Sequence, residues 1–248
     1  MAVTASINSD EPLAIEVVRA IQTGELPALR RLLAEHPGLV TGRIIDPKGA
    51  GRTLLHIVTD WPGHFPNGAA TVATLVEAGA DVHARFHGSH AETPLHWAAS
   101  CDDVPVLEAL LDAGADIDSP GAVIADGPPL ADATAFGQWN AAYRLVERGA
   151  QTTLFTAASL DLLDRVTPYF DPPAPTPSEG DVNAAFWAAC HGGRQRTAEY
   201  LVARGAGINW LPPWEPCSPL DAAERAEAAD LVTWLRARGA RPAAELTS

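Results

Sequence analysis

Two short stretches of the chain combine carboxylates, imidazoles and an indole. Asp60, Trp61 and His64 stand in the first stretch, and His90 and Glu92 stand in the second. Side chains of these types serve small-molecule binding and proton transfer when they share a cleft. In such a cleft Asp60 or Glu92 would be the base, His64 or His90 the acid, and Trp61 a wall. This interpretation requires structural elements that bring the two stretches together.

The elements are clearest in residues 91–119, whose pattern predicts two short antiparallel helices. Pro94 suits the first turn of a helix because its φ is preset and it has no N–H to lose. Leu95, Ala98 and Ala99 follow at positions 0, +3 and +4, which lie on one helical face. Gly114 is expected to end the second helix. Such a pair cannot bury its own apolar faces, so it needs similar pairs on both sides.

This stretch resembles the ankyrin repeat, with its order Thr-Pro-Leu-His-x-Ala-Ala, a second amphipathic helix and then Gly-Ala. The matching residues are Thr93, Pro94, Leu95, His96, Ala98, Ala99, Gly114 and Ala115. Gly-Ala pairs begin at 79, 114 and 149, which are 35 residues apart (114 − 79 and 149 − 114), close to the ankyrin period. The resemblance implies an all-α ankyrin-repeat solenoid of stacked helix–turn–helix units with long finger loops. The resemblance is to ankyrin-repeat proteins of bacterial type, and it implies about six to seven repeats including degenerate caps.

We expect one ankyrin-repeat domain over residues 13–242, after a disordered lead over 1–12 and before a tail over 243–248. The period breaks after Gly149, because the next Gly-Ala pair begins only at Gly205. The Pro-rich segment 171–180 between them is expected to be an insertion on the surface.

The resemblance also implies where a partner binds, which is the concave face formed by the return loops and the exposed ends of the first helices. The binding residues predicted on this face are Asp60, Trp61, His64, His90, Glu92, Trp97, Cys101, Phe136, Trp139, Trp187 and His191. The insertion at 61–67 and the long loop at 81–92 are expected to cover a pocket there, since inserted loops often carry function.

Three histidines in the long loop raise the question of a metal. His83, His87 and His90 are separated by four and three residues, and three imidazoles can bind zinc. An irregular loop fixes no coordination geometry, so the spacing favours ordinary loop histidines. We expect no metal and no other cofactor.

The charge and the number of cysteines limit which partners and which cellular compartment are expected. The 17 basic and 31 acidic residues give a formal net charge of -14. Such a surface repels phosphate backbones and anionic lipid, so neither nucleic acid nor a membrane is an expected partner. The three cysteines are widely spaced and odd in number, which argues against a disulfide framework. The first residues lack the pattern of a secretory leader, and we expect a cytoplasmic protein.

Two functions fit the pattern. The first is an interaction module that binds a protein partner on its concave face. The second is a small-molecule binder, or an enzyme of unusual type, that uses the pocket under the two loops. The chain has no Gly-rich phosphate loop, no Gly-x-Ser-x-Gly and no His-Glu-x-x-His. This absence and the resemblance favour the interaction module that binds a protein partner, and the small-molecule binder or unusual enzyme stays as the alternative.

Overall fold

The computed structural model describes residues 6–173 and 175–247 and consists mainly of short helices. Two compact units divide the chain, Met1–Ala150 and Gln151–Ser248, where the sequence predicted a single domain over 13–242. The helices of the first unit are α1 Pro12–Gln22, α2 Leu26–Glu35, α3 Leu54–Val58, α4 Gly68–Glu77, α5 Pro94–Ser100, α6 Val104–Asp112, α7 Pro129–Ala135 and α8 Trp139–Glu147. Those of the second are α9 Leu154–Ser159, α10 Leu163–Val166, α11 Glu179–His191, α12 Gln195–Val202, α13 Pro219–Arg225, α14 Ala229–Ala237 and α15 Ala243–Leu246. Single 3-10 turns occupy Pro37–Leu39 and Thr167–Phe170.

The predicted helix pair at 91–119 is confirmed as α5 and α6. Leu95, Ala98 and Ala99 are fully buried, so the alanine face of α5 lies close against its neighbours. In the first unit α5 packs on α6 and α7, and α6 packs on α4. Gly114 ends the second helix with φ +90°, a conformation that glycine adopts without strain. The all-α repeat architecture therefore follows from pairs that shelter each other's apolar faces.

The first unit also contains a small three-stranded sheet, which the all-α expectation did not include; it is formed by residues before α1 and by the loop between α2 and α3. Its strands are β1 Ser6–Asn8, β2 Arg43–Ile45 and β3 Gly51–Arg52, in the order β1-β2-β3. β1 runs parallel to β2, with Ile7 opposite Ile44, and β2 pairs antiparallel with β3. The expectation of a disordered lead over 1–12 was wrong for residues 6–8, because main-chain pairing with β2 fixes them; residues 1–5 lie outside the described residues.

The long loop at 81–92 extends this pairing towards the predicted pocket. Gly51 N–H donates to the carbonyl of His87 at 2.7 Å, and His87 N–H donates back to Gly51 at 3.0 Å. His56 and His96 brace the neighbouring loops. The ring Nε2 of His56 lies 3.2 Å from the Glu92 carbonyl, and that of His96 lies 3.3 Å from the Gly127 carbonyl. The ring of His56 on α3 therefore holds the main chain of Glu92 in place.

The second unit is built around α11, which packs against α9, α12 and α13. The described residues of the Pro-rich segment 171–180 lie mostly at the surface, and α11 already begins at Glu179, earlier than the pattern predicted. Ser178 caps it by accepting from Asp181 N–H. Within the expected tail over 243–248, residues 243–246 form α15, and Ala243 N–H donates to the Asp221 carboxylate at 2.8 Å.

Candidate functional site

A groove of about 500 Å³ opens in the first unit along the exposed ends of its first helices. It is lined by residues just after α3, in the loop before α5, on α5 and at its end, in the loop after α6, and just after α7. The lining residues are Thr59, Asp60, Trp61, His90, Glu92, Trp97, Ser100, Cys101, Val123, Phe136 and Gln138. Seven of the residues predicted from the sequence are among them, namely Asp60, Trp61, His90, Glu92, Trp97, Cys101 and Phe136.

Helix α5 places its groove residues by simple periodicity. Trp97, Ser100 and Cys101 stand at positions 0, +3 and +4, so they share one face of the helix. The face formed by Leu95 and Ala98 is fully buried against the neighbouring helices. The same helix therefore presents an apolar side to the stack and an indole, a hydroxyl and a thiol to the groove.

Glu92 is the most deeply buried charged residue of the groove, with 5% of its surface exposed. Its Oε2 accepts from the indole N–H of Trp97 at 2.7 Å, and its Oε1 accepts from Val123 N–H at 3.3 Å. The Nδ1 atom of His90 lies 2.7 Å from Oε2 but is not aligned for a hydrogen bond. Two neutral donors thus hold the carboxylate in a fixed orientation.

Asp132 on α7 forms an acidic pair with Glu92. Its side chain is fully buried, and neither carboxyl oxygen has a well-aligned hydrogen bond to another described residue. Burial, and then the negative charge of Glu92, raise the pKa of Asp132 to about 8. Asp132 is therefore protonated at neutral pH. It was missed as a site residue, although it stands third after the first proline of α7, as Trp97 does in α5.

Aromatic rings form the walls of the groove. Trp61 is 82% exposed and Phe136 is 52% exposed, which is unusual for side chains of this size. Trp97 is supported from behind by Phe86, with ring centroids 5.3 Å apart, and Phe86 stacks on His90 at 4.6 Å. The walls therefore combine one braced indole with two exposed rings.

Two groove residues are poorly suited to chemistry, namely Asp60, a predicted candidate base, and Cys101, a predicted binding residue. Asp60 forms an ion pair with Arg52, and its Oδ1 accepts from Trp61 N–H at 3.1 Å. The Cys101 thiol has its pKa raised to about 11 by burial and by the carboxylates of Asp103 and Asp60. Asp60 is thus a poorly placed base, and Cys101 is not a thiolate at neutral pH.

His64 does not line the groove, contrary to the prediction. Its backbone is left-handed, with φ +57°, and this turns the chain towards the corner between α5 and α6. There its Nε2 contacts the Cys101 carbonyl at 2.9 Å, and its N–H donates to Asp103 Oδ2 at 2.7 Å. His64 therefore anchors the insertion at 61–67, and it is not placed as an acid.

The remaining predicted residues lie apart from the groove lining. Trp139 begins α8, a second helix of its pair. Trp187 and His191 belong to the second unit, where their rings stack with centroids 5.3 Å apart and the Trp187 indole donates to the Cys217 carbonyl at 2.8 Å. Trp187 is buried and joins Phe155, Trp210 and Trp214 in an aromatic cluster of that unit.

The three loop histidines do not gather into a metal site. His83 and His87 are exposed, and His90 faces Glu92. Within residues 6–173 and 175–247, no group of three or more ligand side chains is arranged to hold a metal ion. In the same ranges, no helix has both the length and the apolar character needed to span a membrane.

Asp103 is predicted to position the insertion from outside the groove. Its Oδ1 also accepts from Val106 N–H at 3.3 Å, so it caps α6 while it holds His64. We expect Asp103→Ala to lower the free energy of unfolding by roughly 1–3 kcal/mol. Amide hydrogen exchange over 61–67 should also become faster, because the anchor of the loop is lost.

The control is Asp112→Ala at the other end of α6, where the carboxylate makes an exposed ion pair with Arg148. Such a pair contributes little, so its loss should leave exchange over 61–67 unchanged. Equal exchange in wild type and Asp103→Ala would show that Asp103 does not hold the insertion.

Comparisons with known proteins agree with this architecture. A family model for ankyrin repeats, with three copies, matches residues 17–121. The crystal structure of the human ASB11 ankyrin repeat domain superposes with a TM-score of 0.52 at 20% sequence identity, over 91% of this chain and 97% of that one. No curated protein matches the chain. At this identity the structural match shows the fold alone, and the predicted six to seven repeats go beyond the three copies of the family model. Residues 17–121 therefore match ankyrin repeats, and the chain has an ankyrin-repeat fold.

Proposed function

We propose that the chain is an interaction module that holds a protein partner in the groove of its first unit. Ankyrin repeats are generally protein-interaction modules, which supports the class of function. The observation that carries the choice of surface is Trp61, an indole that is 82% exposed on an anchored loop. Tryptophan is among the residues that most often dominate binding energy at protein interfaces.

The anchoring of the insertion supports this role. His64 and Asp103 hold the loop to the α5–α6 corner through contacts of 2.9 and 2.7 Å. A loop that is ordered before binding loses less conformational entropy when a partner arrives. Phe136 supplies a second exposed ring at the far end of the groove lining. A partner segment that lies between the two rings would cover both apolar surfaces.

A small-molecule site is the second candidate, and the pair of Glu92 and protonated Asp132 favours it. A carboxylate beside a carboxylic acid is an arrangement that general acid–base chemistry uses. Against it, Asp60 is paired with Arg52, and His64 is turned away from the groove. Asp132 is also fully buried, so it cannot exchange a proton directly with a molecule in the groove. The groove therefore supports binding better than catalysis.

Trp61→Ala is expected to weaken partner binding by about thirtyfold, the effect of losing a central aromatic anchor. The probe is a random peptide library displayed on phage and selected against the full chain. Affinities of the selected peptides are then measured by fluorescence anisotropy for wild type and variant. Since the side chain is mostly in solvent, the variant should unfold at the same temperature as wild type.

The matched control is Ile15→Ala, which removes another exposed apolar side chain of the same unit, on α1. It should leave peptide affinity unchanged. Selected peptides that bind Trp61→Ala as tightly as wild type would exclude this groove as the partner site. Failure of the library to yield any peptide that competes for the groove would also argue against the groove as the partner site.

A further inference from the structure

Glu92 is a buried carboxylate whose ion-pair neighbour among the described residues is an imidazole, with His90 Nδ1 2.7 Å from Oε2. Its hydrogen-bond donors are an indole and a main-chain amide, and its close imidazole neighbour is misaligned. No lysine or arginine among the described residues forms an ion pair with it. The guanidinium of Arg85, in the same loop, is used on the carbonyls of Ala91 and Pro120 and on the Ser119 hydroxyl. Buried carboxylates are normally paired with a positive group, and a misaligned imidazole that is charged only when protonated leaves room at Glu92 for a permanently charged partner.

The rest of the groove suits a positive group. Its lining includes no lysine and no arginine. The charge of Asp60 is already matched by Arg52, which leaves Glu92 as the carboxylate of the lining that has no guanidinium or ammonium partner. The faces of Trp61, Trp97 and Phe136 carry the negative ring potential that attracts cations. The Glu92 carboxylate and the aromatic faces therefore both attract a cation into the same groove.

The shape of the lining also fits a long cationic side chain. Val123 and the ring of Trp97 flank Glu92, because both donate their N–H groups to its carboxylate. An aliphatic stem can pack along these apolar surfaces while its charged end reaches the buried oxygens, as lysine and arginine side chains do elsewhere. The formal net charge of -14 would also draw a basic partner segment towards the chain.

We propose that the groove binds an arginine or lysine side chain of the partner, with its charge against Glu92 and its stem along Trp97 and Val123. This rests on the proposed function, since it names the chemistry by which a partner segment is recognised. Glu92 supplies the charge, Trp97 orients the carboxylate and offers a ring face, and Trp61 and Phe136 bind the flanking apolar residues.

The test uses four blocked amino acids as probes on the full chain, namely N-acetyl methylamides of arginine, lysine, citrulline and norleucine. The first two are cations, and the last two have nearly the same shape without charge. Each is titrated at millimolar concentration, where single side chains bind. Binding is followed by the NMR signal of the Trp97 indole N–H, which reports directly on Glu92. We expect arginine and lysine to shift this signal and the two uncharged probes to leave it in place.

Two groove variants and one control variant keep the result interpretable. Glu92→Gln keeps an oxygen for the Trp97 indole but removes the charge, and it should weaken binding of the cationic probes about tenfold. Phe136→Lys changes an exposed side chain, so folding is preserved, and its positive charge in the groove should also repel the probes. Glu77→Gln removes an exposed charge from α4 in the same unit and should have no effect.

Equal shifts with citrulline and arginine would overturn the inference, as would the absence of any shift. The peptide selection separates this outcome from failure of the proposed function. Groove-binding peptides that lack a required basic residue would leave the interaction module standing without cation recognition. Cationic probes that bind while no peptide does would instead support a site for a small organic amine and overturn both the inference and the proposed function.

Discussion

Asp132→Asn raises the free energy of unfolding at pH 8 by roughly 2–5 kcal/mol, if the buried acid is as costly as its raised pKa indicates. The folded chain keeps Asp132 protonated up to a pH of about 8, whereas the unfolded chain ionises it near 3.8. The folded state therefore holds the extra proton, and stability falls as the pH rises between these two values. Asparagine has nearly the same size, needs no proton, and can donate to Glu92.

The pH window must avoid the buried histidines, which act in the opposite direction. Burial lowers the pKa of His56 to about 3 and also lowers that of His96. Their contribution is fully present above 6.5 and is lost as the pH falls towards the folded value. Between pH 6.5 and 8 the slope therefore belongs mainly to Asp132, and its limit is about 1.4 kcal/mol per pH unit.

The measurement is urea unfolding at several pH values across this window, followed by far-ultraviolet circular dichroism. Wild type should lose stability as the pH rises, and Asp132→Asn should not. The other ionisable groups close to the Asp132–Glu92 pair include His90 and His96, and they are the same in both proteins. Asp126→Asn removes an exposed charge from the loop before α7 and should follow wild type. Parallel slopes for wild type and Asp132→Asn would contradict the protonated state of Asp132.

Phe186→Ala is expected to lower the free energy of unfolding of the second unit by about 3–5 kcal/mol. Phe186 is the largest of the fully buried side chains and lies at the centre of α11, the helix on which α9, α12 and α13 pack. Truncation removes its apolar contacts and leaves a cavity that these short helices can only partly fill. Hydrogen exchange of the α11 amides measures the loss within that unit.

The comparison is Val232→Ala on α14, a smaller side chain that is only partly buried against the same core. Its truncation should lower the free energy of unfolding by clearly less, because part of its surface is already exposed to water. A similar loss for both variants would show that α11 is not the central support of the second unit.

The repeat architecture could be predicted because its signals are local. Pro94, the alanine face of α5 and the glycine at 114 each act within one helix or its end, and spacing alone reveals them. The grouping of Asp60, Trp61 and Cys101 also follows from the repeat, since residues at equivalent ends of adjacent helix pairs lie side by side. The structure places these three residues along one groove, and their role in binding stays a prediction.

The parts that could not be predicted depend on loop conformation. His64 was expected in the groove, but one left-handed residue redirects the chain to the α5–α6 corner. The contact between Glu92 and Val123 depends on the path of the return loop after α6, which has no periodicity to read. The strand at 6–8 forms only because β2 lies alongside it. In each case the path of the main chain decides where the residue lies, and the pattern of side chains in the sequence does not indicate that path.

The most direct test of the groove as a cation-recognising partner site is a crystal structure of the full chain with a peptide chosen by the phage selection. The account predicts a peptide segment between Trp61 and Phe136, with an arginine or lysine side chain reaching the Glu92 carboxylate. A peptide bound on another surface, or one that places an uncharged side chain against Glu92, would contradict it.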